Sequence, residues 1–143
     1  MEKYIVNAVI VAVLGIFAVE DIRKKSLGIK QILVVLFAAV LYRGYCIYMT
    51  GISREEILTE GVFILVLAAA AFFKMIGTGD VAVMLILNMT KGFVFAFGVF
   101  AIAITLAAVI SILLLCLRRI GRKYSMPLVP YICVGSVGVI LCG

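Results

Sequence analysis

Residues 77–89 read GTGDVAVMLILNM, a polar motif that leads directly into an apolar run. A second apolar run, Ile57–Ile76, comes just before it. Asp80 therefore lies between two hydrophobic segments of a chain that is 66% hydrophobic. A carboxylate at a membrane boundary is costly and usually marks function. Asp80 is therefore the first candidate site residue.

The composition predicts an all-α polytopic membrane protein. The mean hydropathy is +1.33, and charged residues make up only 14% of the 143 residues. These values exclude an ordinary soluble domain. Several bilayer crossings need nearly the whole chain, so we predict one membrane-embedded domain over residues 1–143. The net charge of +6 is concentrated in short loops, which indicates membrane orientation rather than nucleic-acid binding.

Six apolar segments are candidates for membrane crossing, since about 20 apolar residues in a helix span the bilayer core. They are Tyr4–Val19, Ile29–Met49, Ile57–Ile76, Asp80–Met89, Phe93–Leu117 and Leu128–Leu141. The fourth segment is short. Residues 77–90 in a helix measure about 21 Å, against a hydrocarbon core of about 30 Å. We expect its N-terminal end to be recessed, where water reaches Asp80.

The distribution of basic residues favours six crossings. If the fourth segment crosses, the loops after the first, third and fifth segments share one side. These loops carry nine of the thirteen basic residues, in residues 23–30, at residue 74 and in residues 118–123. The positive-inside rule then places them in the cytoplasm, with both chain ends outside. Asp21 lies near the same face as Asp80, whereas Glu55, Glu56 and Glu60 are expected to be solvated on the other.

Two carboxyl groups can hydrolyse a peptide bond without a metal or a covalent nucleophile. The ionised group takes a proton from water, and the protonated group donates to the carbonyl oxygen. Two close carboxylates do not ionise together easily, so their titrations separate into an acid and a base. The chain has no histidine, which excludes histidine-dependent triads and makes a zinc site unexpected.

The residues of Gly77-Thr78-Gly79 predict an active-site backbone. Residues without a Cβ allow an extended substrate to approach closely. Gly79 also allows the chain to turn into the next helix, whose free N–H groups favour an anion.

Simpler interpretations of both aspartates remain open. Asp21 as an interfacial charge paired with Arg23 or Lys25 is one alternative, and Asp80 as an N-cap is another. Glu20 points about 100° around the helix from Asp21, so at most one of them faces a shared site.

These motifs resemble the type IV prepilin peptidase family over nearly the whole chain. Asp21-Ile22-Arg23 and the basic turn at residues 24–27 are similar to the family's first catalytic aspartate and its basic turn. Gly77-Thr78-Gly79-Asp80 matches the G-x-G-D motif that holds the second catalytic aspartate. Residues 126–131 resemble the Pro-x-x-Pro start of the last span. Leu27-Gly28 and Ala82 stand where the family often has Pro-Asn and Lys, which indicates a divergent branch.

The resemblance implies a short, peptidase-only form, because residues 20–28 leave no space for a cytoplasmic zinc-binding region. It implies catalytic Asp21 and Asp80, no cofactor, and a prepilin or pseudopilin substrate. The basic leader of the substrate would be cleaved at the cytoplasmic face of the inner (plasma) membrane. Glu20 is a candidate contact for that leader.

Two other functions are weighed beside this one. The first is another G-x-G-D membrane protease, resembling signal peptide peptidases. Those usually carry Tyr-Asp, whereas Glu20 precedes Asp21 here. The second is a small membrane transporter or assembly component that binds a proton or cation between Asp21 and Asp80.

Overall fold

The computed structural model describes residues 1–24, 28–74, 76–117 and 128–142. Within these ranges the chain forms six α-helices and no strand, so the predicted all-α class is confirmed. The helices are α1 (Glu2–Lys24), α2 (Ile29–Thr50), α3 (Arg54–Phe72), α4 (Thr78–Lys91), α5 (Phe93–Cys116) and α6 (Val129–Cys142). Each corresponds to one of the six apolar segments.

Three helices of the described chain are long and apolar enough to cross a membrane: α1, α2 and α5. The apolar helix α6 has only 14 residues. Helix α4 also has 14, and α3 carries four charged residues in its 19. The fold is therefore compatible with a membrane protein, and six crossings remain a prediction.

Two helix ends differ from the predicted ones by four residues or more. α1 continues past Val19 to Lys24, so Asp21 lies within the helix rather than after it. α3 ends at Phe72, before the predicted Ile76. Lys74 has a left-handed φ of 53°, which is a conformation that terminates helices. The predicted features at residues 25–27, in the basic loop 118–123 and at residues 126–127 lie outside the described residues.

The chain divides into two compact units, Met1–Lys25 with Gly98–Gly143, and Ser26–Phe97. In the first unit α1 packs against α6. The buried Ile10, Leu14 and Phe17 recur every three or four residues and so lie on one side of α1. α6 also approaches α5 closely, since a Cβ built on Gly135 would lie 3.0 Å from the carbonyl oxygen of Val99.

In the second unit α4 packs against both α2 and α3. No residue from 79 to 91 is exposed, and Val83, Met84 and Leu87 have no accessible surface. α2 and α3, in contrast, expose many large apolar side chains, as membrane helices do towards lipid. An edge-on contact between the rings of Phe63 and Phe93, with centroids 5.4 Å apart, joins α3 to the start of α5. α4 is thus the innermost helix of this unit.

Candidate active site

Asp80 lies in the first turn of α4, where it is the third helical residue. Gly77 is the N-cap and provides no side-chain cap. The alternative interpretation of Asp80 as an N-cap is therefore wrong. A Cβ built on Gly77 would lie 3.1 Å from Oδ2 of Asp80, so the carboxylate folds back beside the start of the helix. The first N–H groups of a helix have no intrahelical acceptor and favour negative charge there.

The glycine at position 77 provides space rather than an unusual backbone conformation. Its φ of −64° and ψ of 144° are accessible to any residue. The space is used by the carboxylate of Asp80 itself. The helix already begins at Thr78, so the prediction that Gly79 makes the turn is wrong by two residues. That these residues guide a substrate backbone stays a prediction.

Asp21 lies on the interior side of α1. Asn7, Leu14 and Asp21 are seven residues apart, which places them close to one side of a helix. Oδ2 of Asp21 and Oδ1 of Asn7 are shielded from solvent and have no hydrogen-bond partner among the described residues. Arg23 is exposed and does not pair with Asp21 there, whereas Lys25 lies outside the described residues, so the interpretation of Asp21 as an interfacial charge stays open.

The two aspartates belong to different units of the chain, Asp21 to the first and Asp80 to the second. Their pairing across one peptide bond therefore stays a prediction. Glu20 lies next to Asp21 in α1 and is half-buried. Its contact with a basic leader is also a prediction.

The sequence interpretation missed an ion pair between α2 and α3. Nη2 of Arg43 donates to Oε1 of Glu60, and their side chains are only 20% and 13% exposed. The expectation that Glu60 is solvated is therefore wrong, although Glu55 and Glu56 are exposed. The sequence does contain a signal for this ion pair, because Arg43 lies inside the second apolar segment and Glu60 inside the third. Charges within membrane helices usually pair with one another.

A buried amide in α4 was missed as well. Asn88 is fully buried, and neither atom of its amide group has a hydrogen-bond partner in the described part of the chain. Burying an amide without a partner costs about 1–3 kcal/mol by mutational data. The signal was one amide residue inside the apolar run 81–89.

The described residues contain no group of three or more histidine, cysteine, aspartate or glutamate side chains placed to hold a metal ion. Comparisons of the chain with protein-family models, curated proteins and solved structures find no match. The argument for function therefore depends on the site residues themselves. They offer one carboxylate at the start of a buried helix and another, partly shielded, on the interior side of α1.

Proposed function

We propose that the chain is an intramembrane aspartyl endopeptidase that removes the basic leader peptide of type IV prepilins or pseudopilins. The geometry at the start of α4 carries the proposal, because the Asp80 carboxylate lies beside a residue without a side chain. Asp21 adds a second carboxylate with one oxygen shielded from solvent. The resemblance of both motifs to prepilin peptidases suggests the reaction.

The two carboxyl groups share one proton in the proposed mechanism. The ionised group removes a proton from water, and the water oxygen attacks the carbonyl carbon of the peptide bond. The protonated group donates to the carbonyl oxygen. The C–N bond then breaks, and the leaving amine takes up a proton from the pair. Two close carboxylates resist joint ionisation, so the pair provides one acid and one base at the same pH.

All six helices cross the inner membrane in this proposal, with the basic loops in the cytoplasm. The nine-to-four distribution of basic residues supports this orientation. An impermeant thiol reagent added from outside should label a cysteine placed at position 54 and miss one placed at position 24. External labelling of a cysteine at position 122 would contradict six crossings.

The leader of the substrate is basic, and so are the loops that flank the proposed site. We therefore expect the leader to meet Glu20, Asp21 or lipid headgroups rather than the residues at 23–25. Glu20→Gln should weaken cleavage modestly, and chiefly for the most basic leaders. An equal loss for a neutral leader would assign Glu20 a structural role.

Co-expression with a prepilin that carries a short basic leader and an apolar helix tests the activity. Asp21→Asn and Asp80→Asn should each lower the yield of the shortened product by several orders of magnitude. The double variant should lose little more, because the two groups act as a unit. Glu55→Gln is the matched control, since it makes the same chemical change at an exposed carboxylate and should leave cleavage intact. Retained cleavage in Asp80→Asn would refute the proposal.

A further inference from the structure

The exposed side of α3 carries an apolar stripe that ends at the connection to α4. Its members are exposed and recur every three or four residues, so they lie close to one side of the helix: Leu58, Val62, Leu65, Ala69 and Phe72. From residue 58 to residue 72 the stripe is about 21 Å long, at 1.5 Å per residue. Residues 61–73 include no charged side chain. α3 therefore presents an uncharged apolar surface over most of its length.

Two aromatic rings lie at the end of this stripe. Phe72 and Phe73 are 84% and 71% exposed, and their rings meet edge-on with centroids 5.7 Å apart. Residues 73–77 alone join α3 to α4, whose first turn carries Asp80. Gly77 is also exposed, and it leaves space beside the Asp80 carboxylate. The ring pair thus begins the segment that leads to the carboxylate.

The stripe has a shallow notch just before the ring pair. Ala68 and Ala69 are exposed there, with the larger Leu65 on one side and Phe72 on the other. Small side chains in a membrane helix allow the backbone of a second helix to approach closely. The ridges of one helix also pack into the grooves of another, whereas fluid acyl chains need no such shape. The notch therefore fits a helical partner.

The apolar helix of a membrane-embedded substrate can approach Asp80 only through the lipid. No residue of α4 from 79 to 91 is exposed, so this helix has to lie on a neighbour of α4. α3 packs against α4 and leads directly to the turn that carries Asp80. Lys74, which is exposed and follows the ring pair, repels a basic leader. The charge therefore favours binding of the apolar helix to the stripe, with the leader directed away from it.

We infer that the exposed side of α3 is the docking surface for the apolar helix of the substrate, with Phe72 and Phe73 in contact with the residues that follow the cleaved bond. The inference rests on the proposed peptidase function and assigns it a surface for the part of the substrate that remains after cleavage. This contact takes no part in bond breaking. It binds the substrate and the transition state equally, so it lowers KM and leaves kcat unchanged.

Steady-state kinetics with prepilin in detergent micelles test this surface in the absence of a bilayer. Ala69→Leu fills the notch and should raise KM about tenfold at unchanged kcat. Phe72→Ala removes one ring and should raise KM about fivefold. Ala38→Leu and Phe37→Ala make the same changes at exposed positions of α2 and should alter neither constant. If the parent enzyme cleaves prepilin and Ala69→Leu keeps its KM, the inference is wrong and the proposed function stands. A fall in kcat alone would also overturn the inference.

Photocrosslinking separates docking from cleavage. p-Benzoylphenylalanine replaces Phe73 in the Asp80→Asn variant, so the probe stays aromatic and the prepilin stays whole. Mass spectrometry should map the crosslink to the apolar helix of the prepilin, and the same probe at position 37 should capture none. Capture at position 73 supports docking even if the parent enzyme does not cleave, and in that case only the proposed reaction falls. A crosslink to the leader, to a second copy of the chain or to lipid alone would overturn the inference.

Discussion

The ion pair between α2 and α3 leads to a prediction about stability that does not depend on any activity. Arg43 and Glu60 are 20% and 13% exposed, so each side chain is largely withdrawn from solvent. Removing one partner of such a pair leaves an uncompensated charge and typically costs 3–5 kcal/mol. We expect a loss of about 3 kcal/mol for Arg43→Leu, because the short side chain of Glu60 cannot reach water from its place about 9 Å into α3.

Glu60→Leu should cost less than Arg43→Leu, since a long arginine side chain can extend towards the headgroups. The double variant should be close to the parent in stability, because replacing a whole buried pair by apolar residues is often neutral. The coupling between the two sites should therefore be about 2 kcal/mol or more. The exposed Glu55→Leu is the control, and its effect should stay within about 0.5 kcal/mol.

The free energy of unfolding can be measured for the four members of this cycle in mixed micelles. Denaturation by an ionic detergent is followed by circular dichroism at the helix band. Additive effects of the two single substitutions would show that the contact contributes nothing, and the reasoning would fail.

Three further outcomes follow from individual residues. Gly77→Ala should displace the neighbouring carboxylate by a few tenths of an ångström and reduce prepilin cleavage roughly three- to tenfold, with stability changed by less than about 1 kcal/mol. Gly61→Ala, which meets no atom within 4 Å, should leave cleavage unchanged, and an unchanged rate in Gly77→Ala would contradict the site geometry. Gly135→Ala should destabilise the protein by about 1–3 kcal/mol in the same detergent titration, whereas Gly138→Ala, with open space around it, should not. Asn88→Leu should raise the unfolding free energy by about 1 kcal/mol or more by removing an unpaired amide, and a loss of stability would reveal a partner such as a buried water.

The six helices could be predicted from the sequence because long apolar segments are separated by glycines and clustered charges. One helix start is also encoded locally, since Ser53 and Glu56 have the spacing of a capping box and form one. Helix ends were harder to predict. The charges at residues 20–24 mark the edge of an apolar run, but glutamate, arginine and lysine are good helix formers and α1 continues through them.

The polar contacts between helices could not be read from the sequence. A charge within an apolar segment signals that a partner is needed, but the choice of partner depends on how two helices are rotated about their axes. Arg43 and Glu60 are 17 residues apart in sequence and meet only because of that rotation. The sequence also could not predict what fills the space beside Gly77. The rotamer of Asp80 decides whether its own carboxylate or a substrate lies there.

The innermost position of α4 changes what its length means. Hydrophobic mismatch acts where helices touch lipid, and it penalises those that are shorter than the bilayer core is thick. No residue of α4 from 79 to 91 is exposed, so protein covers the side chains of this stretch. The length of α4, 14 residues, therefore does not have to match the thickness of a bilayer, whereas the lengths of the long apolar helices α1, α2 and α5 do. In the proposed membrane orientation, the depth of the turn that carries Asp80 would therefore be set by the packing of α4 against its neighbours and not by the thickness of the lipid.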